Sequence, residues 1–118
     1  MGRQWVYVNN TDNANSFILA TSGLSLYGGF TNGAAWADRD PDAYPTILDG
    51  EAARRVLQIN AGVATIDGLI FRNGMRSADA YATGCGIRRV GTGTLHMARC
   101  AIADNRPSGQ NYAYGVGA

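Results

Sequence analysis

Long apolar runs are missing from this chain. No stretch approaches the roughly eighteen consecutive apolar residues of a membrane-spanning helix, and Met1-Gly2-Arg3-Gln4 leads into WVYV without the apolar block of a signal peptide. No membrane-spanning segment is expected here, and a route of export would have to be encoded elsewhere. An excess of charge is missing too: ten basic against nine acidic residues leave +1, which removes the broad electrostatic footprint of a nucleic-acid binder or a polybasic membrane module. Cysteine is scarce. Cys85 and Cys100 lack metal-site spacing and offer only two ligands. With three prolines against sixteen glycines and 46% apolar residues, the composition fits a turn-dense β protein rather than a disordered chain. At 118 residues there is room for one core and no second one.

What is present is alternation and recurrence. GVATIDGLIFRNG, Gly62 to Gly74, places apolar residues two apart, breaks once at Asp67-Gly68 and closes at Asn73-Gly74. That spacing reads as strand, bend, strand, turn, because side chains on an extended backbone point to opposite faces in turn. A forward shift of 31 residues superposes Gly62 on Gly93, Ile66 on Met97, Leu69 on Cys100 and Phe71 on Ile102, and lays Tyr81–Ile87 on Tyr112–Ala118. A backward shift of 39 superposes Val56 on Phe17, Gly62 on Gly23, Ile66 on Tyr27, Gly68 on Gly29 and Leu69 on Phe30. The difference fits one insertion within TNGAAWADRDPDAYP. Matched glycines and apolar positions at a nearly fixed period imply stacked units, none of which can bury its apolar side alone.

In chain order, WVYV (Trp5 to Val8) is a short strand, ended by an Asn- and Asp-rich turn that contains the glycosylation-type triplet Asn9-Asn10-Thr11, read here as a turn. FILA and LSLYGGF make the first unit, TILDG resumes the strand pattern after the insertion, and VLQI begins the second unit. TLHMARCAIADN is the third, and YAYGVGA starts a fourth. Only the insertion lacks strand periodicity. Within it Asp38, Asp40 and Asp42 alternate like the first three ligands of a calcium loop, and Asp49 occupies the twelfth place. Ala43 stands where the sharp turn needs glycine, Asp49 replaces the bidentate Glu, and Pro41 and Pro45 stiffen the path. These departures set the calcium reading against a solvated acidic loop whose charge Arg39 offsets.

The succession LYGGF, Trp with RDP, PTILDG, GVATIDGLIFRNG, GCGI, GTGTL and CAIADN resembles the repeats of right-handed parallel β-helix proteins of the pectin-lyase-like superfamily, and within it bacterial surface and secreted proteins with polymorphic-outer-membrane-protein-like repeats. The likeness covers about Phe17 to Ala118. It implies an all-β solenoid of about three to four coils, a single segment over 1–118 with units near 16–45, 46–86 and 87–118, belonging to a longer protein at the bacterial cell surface, outer membrane or outside. On such a scaffold the expected inner columns are Tyr27, Ile66, Met97; Phe30, Leu69, Cys100; Phe71, Ile102; and Phe17, Val56, Ile87. Asn73 and Asp104 share a turn column where their side chains can bond backbone above and below. The alignment of Leu57 with Arg88 is the weak point: either Arg88 faces solvent with Leu57 half exposed, or the register slips by one and inverts the faces. Cys85 and Cys100 either bridge one coil or leave Cys100 as a small core residue under Leu69.

A catalytic constellation does not assemble from the sequence. Asp49, Asp67 and Asp104 are the strand-associated carboxylates, yet no acidic pair recurs; Asp67 aligns with Ala98 and Gly28. The family's polygalacturonase segments (Asn-Thr-Asp, Asp-Asp, Gly-His-Gly, Arg-x-Lys) are absent. His96, between Leu95 and Met97, is sent outward by alternation. Gly91-Thr92-Gly93 has no following helix or lysine to make a phosphate loop. Tyr81, Tyr112, Tyr114 and Trp36 are the candidate ligand-binding residues: exposed aromatics along one face suit stacking on sugar rings, against the plainer reading that tyrosines cover the loop side. The expectation is a non-catalytic surface or secreted scaffold or adhesin-type module contacting polysaccharide or cell-surface glycan, without cofactor unless the Asp loop holds calcium, and with end-to-end association through uncapped coils. The alternative is a fragment of a lyase or glycoside hydrolase whose catalytic coils lie elsewhere.

Overall fold

The computed structural model describes residues 5–7, 16–60, 62–77, 82–108 and 113–114. These residues are all-β, with one 3-10 turn at Trp36–Asp38. In chain order the strands are β1 (Trp5–Tyr7), β2 (Phe17–Leu19), β3 (Leu24–Tyr27), β4 (Thr46–Asp49), β5 (Leu57–Ile59), β6 (Val63–Asp67) and β7 (Leu69–Arg72). They continue with β8 (Met75–Ser77), β9 (Ala82–Thr83), β10 (Ile87–Arg89), β11 (Thr94–Ala98), β12 (Ala101–Ala103), β13 (Arg106–Ser108) and β14 (Ala113–Tyr114).

Every pairing among the described residues is parallel. One sheet runs β1-β4-β7-β12, a second β10-β5-β2, a third β11-β6-β3, and the pairs β13-β8 and β14-β9 complete the set. No two neighbours in a sheet are consecutive in sequence, so the chain leaves each sheet, visits the others and returns one strand further along. Parallel partners need such crossovers, and short extended segments supply them where an α-helix would serve in other folds.

The shift of 31 holds from β6 onward: Met97 lies on Ile66, Ile102 on Phe71, Arg106 on Met75 and Tyr114 on Thr83. Three expected columns need correction. Ile87 pairs with Leu57 rather than Val56, and Arg88 with Gln58, because the corner 90–93 has one residue more than the corner 60–62. The slip keeps Arg88 outside and Leu57 inside, at 1% exposure. The first unit also sits one residue further along than glycine matching suggests. Leu26 pairs with Ile66, and Tyr27 with Asp67. Inward-facing leucines on Ala64 and Ile66 bury more apolar surface than a matched pair of corner glycines, so the apolar alternation sets the register. Leu69 stands beside Thr46, not Phe30.

The core is the inward column set Phe17–Leu57–Ile87, Leu26–Ile66–Met97 and Leu48–Phe71–Ile102. Burial depends on position along the stack. Ile66 and Phe71 are completely buried, whereas Met97 and Ile102, directly on them, are 37% and 36% exposed. A residue needs a layer on both sides to be sealed.

Turns are fixed by polar side chains that reach across layers. Asn105 accepts from the Gly74 N–H at 2.7 Å and donates to Phe71 O at 3.1 Å, both buried. Asn73 and Asp104 share a left-handed turn conformation at φ 54° each, and Asn73 Nδ2 donates to both Asp49 oxygens at 3.2 Å. The backbone-bonding role expected of that column thus falls to Asn105, one place on. Gly74 has no room for a side chain, since a Cβ there would overlap Cys85 O and lie 2.7 Å from Asn105 Oδ1. Cys85 is buried and Cys100 half-buried, and they are not bridged.

Two substitutions in one column test this stacking. Phe71→Ala is expected to cost about 3–5 kcal/mol in urea unfolding. Ile102→Ala, already about a third exposed, is expected to cost well under half of that.

Candidate functional site

The segment between β3 and β4 is the only long departure from the strand stack between residues 16 and 60, and its sequence explains how it is held. Gly28 is buried against Gly68 and Leu69, and Gly29 turns the chain outward at φ 94°, with its N–H donated to Thr46 Oγ1 at 3.1 Å. The chain returns through Asp40, whose N–H bonds Gly29 O at 2.8 Å. Its Oδ1 accepts from the Asp42 and Ala43 N–H groups, each at 3.0 Å. That is an Asx turn, the local bonding that makes Asp a turn former.

Arg39 fastens this loop to the stack. Its side chain is 6% exposed. Nε donates to Gly28 O at 2.7 Å, and Nη2 donates to Asp67 O at 2.9 Å and Asp67 Oδ1 at 2.7 Å. The guanidinium carbon lies 5.3 Å from the ring centre of Tyr27, 5.6 Å from Trp36 and 5.9 Å from Phe30. Trp36 meets Tyr27 edge-on at 4.8 Å and Phe30 tilted at 5.6 Å. Three aromatic rings and three oxygens therefore compensate one buried cation. A Cβ on Gly68, itself at φ 75°, would fall 2.5 Å from Arg39 Nη2 and 2.8 Å from Pro41 Cγ. This bend must stay bare for the loop to dock.

Asp67 is held from two sides. Arg99, in the layer beyond, forms a fork with it, Nε to Oδ1 and Nη2 to Oδ2, each at 3.0 Å. The hydrogen bonds of Arg99 and Arg39, opposed by partial desolvation, keep the Asp67 carboxyl below its ordinary range. Asp49 follows the same logic. Burial pushes its carboxyl up, but hydrogen bonds from Arg72 (2.8 Å), the Glu51 N–H (2.7 Å) and Asn73, with the charge of Arg72, more than reverse this. Both groups are fixed anions at neutral pH, suited to orienting arginines. A general acid near neutrality needs its pKa moved the other way.

The expected site residues separate accordingly. Asp38, Asp40 and Asp42 do not come together as ligands: among the described residues no three His, Cys, Asp or Glu side chains gather as a metal-holding group, and Asp40 is engaged in its own turn. Arg39 turns away from these carboxylates, because the rings and Asp67 offer a desolvated site while the loop carboxylates stay in water. Trp36 is 62% exposed at the rim of the loop. Tyr114 is placed only through its backbone pairing with Thr83. Tyr81, Tyr112 and the Asn9-Asn10-Thr11 triplet lie outside the described residues. His96 is exposed, in register with Thr65. Sequence reasoning did not find Arg99 or Asn105. Their only signal was the 31-residue shift, which puts Arg99 in the place of Gly68 and Asn105 in that of Gly74.

Beside the loop opens a cleft of about 520 Å³, lined by Tyr7, Phe17, Leu26, Tyr27, Phe30 and Leu48 among others, with Thr31, Asn32 and Thr46 also on its wall and no charged side chain among the described residues that line it. Among the described residues no helix is long and apolar enough to cross a membrane. Compared with family models, curated proteins and solved structures, the chain finds no match.

Because both carboxyl pKa values are lowered, their contribution to stability is complete above the unfolded-state value, near 4, and is lost as pH falls through the lower folded-state values. Acid unfolding followed by circular dichroism should show this loss below about pH 4, and the acid slope should be shallower in Asp67→Asn and in Asp49→Asn. Arg39→Met should release the loop, read as a red shift of Trp36 emission and faster proteolysis between residues 28 and 45.

Proposed function

We propose that this chain is a segment of a right-handed parallel β-helix, a solenoid of about three to four coils, serving as a non-catalytic scaffold at the cell surface or outside the cell and contacting carbohydrate through the loop at 28–45. The uniform parallel pairing and the constant shift from β6 onward support the solenoid. The hand follows from strand twist, which makes parallel crossovers right-handed in about 98% of cases. The surface or secreted setting rests on the resemblance of the repeats to bacterial surface β-helix proteins.

One observation carries the carbohydrate reading: Trp36 is largely in solvent, yet packed against Tyr27 and Phe30 above a buried arginine. An exposed ring that is already immobilised loses little entropy when the apolar face of a sugar stacks on it. Thr31 and Asn32, on the same loop and lining the cleft, add donors and acceptors for hydroxyl groups.

Titration with soluble neutral, acidic and amino-sugar oligosaccharides, followed by calorimetry and tryptophan emission, tests this. Binding that disappears in Trp36→Ala is the expected result. Absence of binding across the panel, or binding indifferent to Trp36→Ala, would overturn the carbohydrate reading. Chain-dependent release of new sugar ends would favour a fragment of a polysaccharide-active enzyme instead.

A further inference from the structure

An Asn or Asp side chain followed by glycine is open to attack on its Cγ by the glycine main-chain nitrogen, because glycine carries no Cβ to hinder the approach. The chain has four such pairs: Asn32-Gly33, Asp49-Gly50, Asp67-Gly68 and Asn73-Gly74. The stack ties up the nucleophile in three of them. The Gly50 N–H is donated to Arg72 O at 2.9 Å, the Gly68 N–H to Ala98 O at 3.0 Å and the Gly74 N–H to Asn105 Oδ1 at 2.7 Å. Their side chains are held as well: Asp49 by Arg72, Asp67 by Arg39 and Arg99, and the Asn73 amide by Asp49.

Asn32-Gly33 stands apart. It lies in the loop between β3 and β4, and both residues are exposed. A single hydrogen bond closes the turn, from the Ala34 N–H to Thr31 O at 3.1 Å, with Gly33 third of the four residues at φ 75°. That is the pattern of a type II turn. Neither the Gly33 N–H nor the Asn32 amide has a hydrogen-bond partner among the described residues, and nothing lies within 4 Å of the place a Gly33 Cβ would take. Reaching the amide carbon requires rotation about the Asn32 Cα–C bond, which in a solvated turn costs one weak hydrogen bond. In the other three pairs the same rotation breaks a bond between layers and opens the packed stack.

We propose that Asn32 is a site of spontaneous covalent modification: the fold leaves this one pair free to react and protects the other three. The Gly33 nitrogen forms a bond to Asn32 Cγ, the C–N bond of the side-chain amide breaks, and the glycine proton leaves with the amide nitrogen as ammonia. Water then adds to one of the two carbonyls of the cyclic imide, giving aspartate, or to the other, giving isoaspartate. No electrons are transferred; one amide and one water become one carboxylate and one ammonium. Asn32 and Gly33 line the cleft, whose wall has no charged side chain among the described residues. The reaction therefore brings a negative charge to that wall, and isoaspartate also lengthens the turn by one main-chain carbon. The modification does not depend on the loop's ligand being a carbohydrate.

Ageing the whole chain in mildly alkaline buffer, followed by digestion at arginine and fragment mass spectrometry, tests this. Asn32 then falls in peptide 4–39 and Asn73 in peptide 73–76. The expected result is the mass gain of an NH2-to-OH exchange at Asn32 at least about tenfold faster than at Asn73. Isoaspartate is expected as the larger product, with one oxygen taken up from isotopically labelled water. In urea both Asn-Gly pairs lose their surroundings, and the two rates are expected to converge. The proposal is overturned if Asn32 converts no faster than Asn73 in the folded chain, if aspartate forms without isoaspartate, or if the difference in rate survives in urea.

Discussion

Parallel, in-register pairing between successive passes of the chain is the constraint on which everything else depends. A three- to five-residue strand has too few hydrogen bonds and too little apolar surface to persist alone. Here each strand in the middle of a sheet has neighbours on both sides, and its inward residues lie on their counterparts. The consequence is visible in one column, where Phe71 is sealed and Ile102 is not. Burial belongs to the stack rather than to a residue type.

Because a repeated layer places like next to like, charged residues stacked in register would repel. The chain avoids this by varying its polar residues between layers and by using arginine throughout; it contains no lysine. The planar guanidinium reaches sideways to carbonyl and carboxylate oxygens at the corners, as Arg55 does to Gly84 O at 2.7 Å and Arg89 to Gly62 O at 2.6 Å. Arg39 and Arg99 converge on Asp67 from different layers and couple the loop, the middle layer and the next into one electrostatic unit. A single ammonium nitrogen could take the place of Nη2 on the Asp67 carbonyl and carboxylate, but not also that of Nε on Gly28 O. Trp36 owes its fixed position to this unit, which links the surface of the loop to the interior of the stack.

Much of this was legible in advance. Strand, bend and turn were written in the alternation of Gly62 to Gly74, and the 31-residue shift located the partners of Ile66 and Phe71 correctly. The register of the first unit was not, because corner glycines coincide at a shift of 39 while the apolar faces coincide at 40. One extra residue in the corner 90–93 likewise moved Ile87 from Val56 to Leu57. Identity of glycines is a weaker guide than alternation, since a corner tolerates an added residue and a packed face does not. The part played by Arg39 was hidden for a different reason. Its nearest charges in sequence are Asp38 and Asp40, and those are the carboxylates it ignores.

By itself, then, the sequence determined that the chain is β-structured, repetitive and built of units too small to stand alone, since periodicity and turn chemistry are local properties. Only the tertiary structure decided which carboxylate each arginine holds and which aromatic ring stays in water while fixed in place. Those outcomes depend on which residues the stacking brings together, as with Arg39 and Arg99 on Asp67, and on how much water each pair excludes, neither of which spacing along the chain records.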